Sequence, residues 1–185
     1  IAREITDEHG EFLFAGLPMA GNSIFLPVAS RDGVFHPGER IRLDPGQRNP
    51  RIKLAVYDAV RGSSPLVADH HEILLRPEPG ILNVTETIQV ANPSSGCYVG
   101  ETGEDKGSVT LRLRIPSSFE KVTFHKEFFG RRFSVIDGQL VTTGPWPPGA
   151  RELQFDYVLP IEQQSQIWER PLDLPCSDVR VRLVQ

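Results

Sequence analysis

The chain has 185 residues, and its sixteen prolines and sixteen glycines leave few windows in which a long helix could run without a breaker. The formal net charge of −4 is spread without long runs of one sign, so no basic stripe offers itself to a nucleic acid. No apolar stretch approaches the roughly 18 residues that a membrane helix needs. Frequent valine, isoleucine, threonine and phenylalanine then favour an all-β protein.

The first segment, residues 6–43, is rich in turn formers and aromatic residues. A turn at residues 8–10 precedes Phe12 and Phe14, which we expect to face inward from a strand. An extended stretch, 25–29, and a turn at 33–35 follow. With these features the segment resembles the second half of a carboxypeptidase regulatory-like domain, a small β-sandwich related to transthyretin. The residues that carry this resemblance are Asp7, Gly10, Phe12, Phe14, Gly16, Leu17, Pro18, Gly21 and the two stretches just named.

The opening strands of that family are absent from this sequence. A half sandwich would expose strand edges and an open apolar face, which is costly. Three explanations stay open: residues upstream of Ile1 complete the domain, the half packs on the domain that follows, or another chain supplies the missing strands by donor-strand complementation.

A short polar connector, Asp44 to Arg51, is rich in turn formers. It predicts a boundary between a partial regulatory-like sandwich, residues 1–50, and a second sandwich, residues 51–185. The alternation of Ile52, Leu54 and Val56 over residues 51–59 predicts the first strand of the second domain.

A hairpin over residues 66–92 is the strongest structural signal in the chain. The apolar residues Leu82, Val84, Ile88 and Val90 alternate with polar ones, and Glu86 interrupts the apolar side. The turn residues 77–80 favour a register with Arg76 opposite Ile81. That register places His71 opposite Glu86, and Asp69 opposite Ile88, on one face of the sheet.

Further strands are predicted downstream by the same alternation. They cover residues 109–115, 119–129, 153–159 and 179–183, and a hairpin is centred on Asp137-Gly138, because both positions of a type I′ turn need φ > 0. Short strands at about ten-residue spacing predict an immunoglobulin-like β-sandwich. The segments VYD, HHEILLRPEPGILNVTETIQVANPS, YVG and LRLRIP resemble a second β-sandwich that follows regulatory-like domains in bacterial envelope proteins.

The run Asp69-His70-His71-Glu72 is the main polar cluster of the sequence. On a strand its two histidines point to opposite faces, so they cannot both bind one metal without help from elsewhere. A mononuclear metal site would need Asp69, His71 and Glu86. The alternative, which we favour, is that His71 and Glu86 form a buried pair that fixes the register.

Two other features bear on function. Trp146 lies in the proline-stiffened loop 145–149, where it either contacts a partner or a sugar, or packs onto its own loop. Cys97 and Cys176 could form one disulfide or remain two thiols. No nucleophile elbow, phosphate loop or dinucleotide-binding glycine pattern is present.

These observations predict a protein that is not an enzyme and needs no cofactor. We expect a structural, protein-interaction module of an exported or envelope-associated bacterial protein, periplasmic or extracellular, whose partners are other protein chains, one of which could complete the first domain. The alternative is a ligand-binding module that takes a carbohydrate at the Trp146 loop or a metal at His71 and Glu86.

Overall fold

The structure is a computed structural model that describes residues 2–17, 23–43, 50–101, 108–126, 133–161 and 167–184. The fold is all-β and sandwich-type, and the described residues contain no helix, hence none that is long and apolar enough to cross a membrane. The chain divides into two compact units, Ile1–Ser30 with Phe35–Val56, and Arg31–Val34 with Tyr57–Gln185. This division falls at residue 56 rather than at the predicted residue 50. Most of the predicted connector, residues 44–49, lies outside the described residues.

Residues 23–43 contain short paired strands, and most of their residues belong to the first unit. They are β1 (Ile24–Phe25), β2 (Val28–Arg31), β3 (Val34–Pro37) and β4 (Ile41–Arg42). Strand β1 pairs with β4 antiparallel, and β2 pairs with β3 through a turn at Asp32 and Gly33, whose φ angles are 51° and 78°. Phe12 and Phe14 lie outside any strand, contrary to expectation, although their rings meet edge to face with centroids 5.8 Å apart.

The second unit is built from a five-stranded and a three-stranded sheet, with one further strand pair. Its strands are β5 (Ala59–Val60), β6 (Val67–Glu78), β7 (Ile81–Asn92), β8 (Cys97–Tyr98), β9 (Leu111–Arg114), β10 (Lys121–Lys126), β11 (Ser134–Ile136), β12 (Gln139–Thr142), β13 (Gly149–Pro160) and β14 (Val179–Leu183). The larger sheet has the order β10-β13-β7-β6-β14, and the smaller has the order β11-β12-β9. Strand β14 is parallel to β6, and the other pairs in these two sheets are antiparallel.

One apolar core joins the two sheets. The larger sheet contributes alternate residues of β6, β7 and β13, and the smaller sheet contributes alternate residues of β9 and β12, as period-2 patterning requires. The alternation predicted over residues 153–159 is confirmed, because Leu153, Phe155, Tyr157 and Leu159 are each at most 2% exposed. Representative core residues are Ile73, Val84, Ile88, Leu111, Leu113, Leu140, Leu153, Phe155, Tyr157 and Leu159.

The β6/β7 hairpin forms as predicted, but its register differs by two residues. Glu78 lies opposite Ile81, so only Pro79 and Gly80 form the turn, and the predicted pairing of Arg76 with Ile81 is wrong. Pro77 stays inside the strand because its missing N–H would point away from β7, beyond the end of β14. A β-bulge between residues 68 and 70 then shifts the pairing back by one residue, so that Ala68 lies opposite Val90.

Two other local predictions have opposite outcomes. The hairpin turn at Asp137 and Gly138 is confirmed, with φ angles of 50° and 73° between β11 and β12. The strand predicted over residues 51–59 is wrong, since Ala59 is the only residue of that range in strand conformation, and it belongs to β5, which pairs in parallel with β8. The alternation of apolar and polar residues over 52–56 therefore does not correspond to a hydrogen-bonded strand.

Candidate functional site

Glu86 is a carboxylate inside the apolar core. It lies on the inward face of β7 between Val84 and Ile88, opposite Ile73 of β6 and Phe155 of β13, and its side chain is 0% exposed. An ionised carboxylate at such a position is stable only if it is paired and hydrogen-bonded. The site is therefore defined by the groups that approach Glu86.

Three side chains donate hydrogen bonds to this carboxylate. His71 places Nε2 2.8 Å from Oε2, while the Tyr157 hydroxyl and Arg170 Nε each donate to Oε1 over 2.8 Å. His71 is itself buried, and it reaches Glu86 diagonally because Ile88 is its direct cross-strand neighbour. The predicted pair is thus present, although the predicted register is not.

Arg170 extends the cluster away from the sheet. It comes from an irregular segment that precedes β14, and its side chain is only 1% exposed. Its Nη1 donates to Asp173 Oδ2 over 2.7 Å and to the carbonyl of Pro171 over 2.6 Å. Asp173 in turn accepts hydrogen bonds from the backbone N–H and the Nε of Arg114 on β9, at 2.9 and 2.6 Å. We name the set His71, Glu86, Tyr157, Arg170 and Asp173 the Glu86 network.

The charges within the network stabilise one another. Burial opposes ionisation of Glu86 most strongly, but the His71 hydrogen bond and the positive charge of Arg170 outweigh it, so the pKa of Glu86 is lowered. Burial also opposes the charge on Arg170, yet the negative Glu86 raises the pKa of Arg170. Burial, followed by the charge of Glu86, raises the pKa of Tyr157. The network therefore holds an ionised Glu86, a cationic Arg170 and a neutral Tyr157 at neutral pH.

These shifts predict how stability depends on pH. A carboxyl whose folded pKa is lowered contributes stability that is present above its unfolded pKa, 4.5, and is lost as the pH falls through the lower folded value. Urea unfolding from about pH 7 to about pH 3 should therefore show an acid loss of stability that is smaller in Glu86→Gln than in the wild type. Equal acid losses in the two proteins would assign the effect to other carboxylates.

A small crevice adjoins the network. His71, Arg170 and Asp173 line its polar side, Leu113 and Cys176 contribute to its apolar side, and its volume is about 10 Å³. A space of this size holds at most one water molecule. A sugar ring does not fit in this crevice.

The proposed metal ligands do not come together. Asp69 is the extra residue of the β6 bulge and is exposed, whereas His71 and Glu86 are buried, so the structure does not bring together the three residues that a mononuclear metal site would need. No group of three or more histidine, cysteine, aspartate or glutamate residues in the described ranges could hold a metal ion. His70, on the opposite face, places Nδ1 2.9 Å from Asp178 Oδ2.

Trp146 lies inside the core rather than on an exposed loop. Its side chain is 0% exposed, its Nε1 donates to Thr110 Oγ1 over 3.2 Å, and its backbone exchanges two 2.8 Å hydrogen bonds with Tyr98. Asn92 also donates to the Trp146 carbonyl, over 2.7 Å. The prediction that Trp146 forms an interaction loop is therefore wrong, and the packing alternative is correct.

Burial of Trp146 predicts its fluorescence. In a Trp168→Phe variant, the remaining emission of Trp146 should be blue-shifted, and its acrylamide quenching constant should be several-fold below that of free tryptophan, because no solvent reaches the ring. Added oligosaccharides should leave the emission unchanged. Efficient quenching, or a sugar-dependent shift, would place the indole at the surface.

Cys97 and Cys176 are not joined in a disulfide. Cys97 is buried on β8, and Cys176 is half-buried, with its Sγ 3.3 Å from the carbonyl of Asp178. Of the two alternatives left open by the sequence, the structure has two thiols.

Comparisons with known proteins do not assign a role to the residues of this site. No protein-family model matches the chain, and no curated protein matches it. Among solved structures, a two-domain M1 zinc metallopeptidase bound to L-tryptophan is similar, with 18% identity and a TM-score of 0.36. The similarity covers 66% of this chain and 34% of that protein, so the chain spans about a third of its length. The resemblance to a carboxypeptidase regulatory-like domain stays a prediction.

Proposed function

We propose that this chain is a non-catalytic structural and protein-interaction module of an exported or envelope-associated bacterial protein, and that it belongs to a larger assembly. One observation supports the proposal most directly. The Glu86 network contains several ionisable side chains, but these side chains hydrogen-bond to one another inside the core. Each oxygen of Glu86 already accepts a hydrogen bond from a buried or nearly buried side chain.

A catalytic carboxylate or histidine must reach the proton or atom on which it acts, within about 3 Å. Glu86 and His71 have no such access, because both are buried and the adjoining crevice admits at most one water. Breaking their hydrogen bonds to admit a ligand would leave buried charges unpaired. The arrangement stabilises a sandwich.

Protein chains are the partners that suit such a module. Exposed strand edges in a β-protein are sites where a strand of another chain can be added. Completion of the first unit by a strand from another chain is part of the proposal. The extracytoplasmic location rests on the resemblance to sandwich pairs in bacterial envelope proteins.

The carbohydrate alternative has lost its basis, because Trp146 is buried. A metal at His71 and Glu86 would compete with Arg170 and Tyr157 for the same carboxylate. Thermal shift with divalent cations separates the alternatives, since a bound metal would raise the unfolding temperature with concentration.

The proposed function is tested by the native mass of the protein isolated from its source. A particle that contains at least one further polypeptide is the expected result. A particle with the mass of the single chain would contradict the proposal, and a hydrolytic activity that disappears in Glu86→Gln with folding intact would contradict its non-catalytic part.

A further inference from the structure

The C-terminal strand β14 forms one edge of the five-stranded sheet, and no strand lies beyond it among the residues that the structure describes. It pairs with β6 in parallel, from Val179 opposite His71 to Leu183 opposite Leu75. The side chains of Val179, Val181 and Leu183 share the inward face of the sheet with Ile73. They remain 41%, 55% and 62% exposed.

The backbone of β14 has a defined orientation at this edge. The N–H of Val184 donates to Leu75, and the carbonyl of Asp178 accepts from His71, so the even-numbered residues bond towards β6. Alternate residues of a strand direct their N–H and C=O groups to opposite sides. Val179, Val181 and Leu183 therefore direct their backbone donors and acceptors outward, where a further strand could pair with them.

The other face of β14 is cationic. Arg180 and Arg182 have side chains that are 58% and 60% exposed, and each makes one ion pair, with Asp178 at 2.9 Å and with Glu72 at 3.1 Å. A guanidinium has five donors, so each arginine can pair with a second carboxylate. If a further strand paired with the outer edge of β14, every second side chain of that strand would lie on the same face as Arg180 and Arg182 and beside them.

Self-pairing of two β14 edges is unfavourable for the same reason. If the outward-directed odd residues of two copies pair antiparallel, every register that pairs three or more β14 residues of one copy with β14 of the other sets Arg180 or Arg182 opposite an arginine of the other copy. Like charges directly opposite destabilise a strand pair. The charge pattern thus disfavours a second copy and favours a strand with acidic residues at these positions.

We infer that the outer edge of β14 receives an extended segment of a partner protein in which apolar and acidic residues alternate. This inference rests on the proposed function and names the partner's chemistry. The apolar side chains of the partner segment cover Val179, Val181 and Leu183, and its acidic side chains pair with Arg180 and Arg182. Its backbone forms hydrogen bonds with the outward-directed N–H and C=O groups of β14.

The test uses the full chain and two capped, labelled peptides of about seven residues. One alternates valine and glutamate, and the other has lysine in place of glutamate. Fluorescence anisotropy should show the glutamate peptide binding about tenfold more tightly than the lysine peptide at low salt. The difference should shrink as salt is added. Absence of binding by the glutamate peptide, or equal binding of both, overturns the inference.

Two variants of β14 make the test specific. Val181→Pro removes one outward N–H without breaking a bond to β6 and should abolish peptide binding while the unfolding temperature changes little. The variant with Arg180→Glu and Arg182→Glu should prefer the lysine peptide instead, which keeps the inference testable even if the proline variant fails to fold. An unchanged preference in the charge-reversed variant overturns the inference. If the Val181→Pro protein still forms a native particle with its partner, the inference about β14 is also overturned. The proposed function is then unaffected, because the chain still belongs to a larger assembly.

Discussion

Replacing Glu86 by glutamine should lower the free energy of unfolding by about 3–5 kcal/mol, the usual cost of removing one partner from a buried ion pair. Glutamine has nearly the same shape, so the loss is not one of packing. It removes the negative charge that Arg170 and His71 face, and it replaces one acceptor oxygen by an NH₂ group that points at a donor. Urea unfolding followed by circular dichroism measures the change.

Glu72→Gln is the matched control. Glu72 lies on the neighbouring strand β6 with a side chain that is 33% exposed, and it pairs with Arg182 over 3.1 Å. A surface pair of this kind contributes at most about 1 kcal/mol. If Glu86→Gln costs no more than Glu72→Gln, the Glu86 network does not stabilise the sandwich and the structural role assigned to it fails.

The His71–Glu86 pair could be predicted although the register was wrong, and the reason is geometric. Side chains on a strand alternate with period two, so the observed shift of two residues leaves the residues of β6 from His70 onward on their predicted faces. The two side chains become diagonal instead of direct neighbours, still within reach of each other. A shift of one residue would have separated them.

The register itself could not be read from the sequence. Residues 77–80 permit either a four-residue or a two-residue connection. Pro77 can remain in β6 because β14 ends before it, so no hydrogen bond to β14 is lost through the missing N–H. The bulge that displaces Asp69 is equally a tertiary outcome. Turn chemistry alone does not determine either feature.

The other members of the Glu86 network differ in how far the sequence could predict their positions. Tyr157 lay on a predicted inward face, where a buried hydroxyl needs a partner, so the alternation contained a signal for it. Arg170 and Asp173 come from a segment without strand periodicity, and nothing local predicts that it enters the core. Trp146 was ambiguous because prolines flank it, and only its pairing with Tyr98 decides its position.

Arg170→Met should also cost about 3–5 kcal/mol, because it leaves the charge of Glu86 in the core with its hydrogen bonds from His71 and Tyr157 but without its cation. Combined with Glu86→Gln, the loss should fall short of the sum of the single losses by about 1–3 kcal/mol, since either substitution alone already breaks the pair. The matched cycle uses Glu72→Gln and Arg182→Met, whose coupling should stay below about 1 kcal/mol. Additive losses at Glu86 and Arg170 would mean that the irregular segment around Arg170 is held by Asp173 and Arg114 rather than by the buried carboxylate. A large coupling would instead show that this segment, which leads directly into β14, is anchored through Glu86.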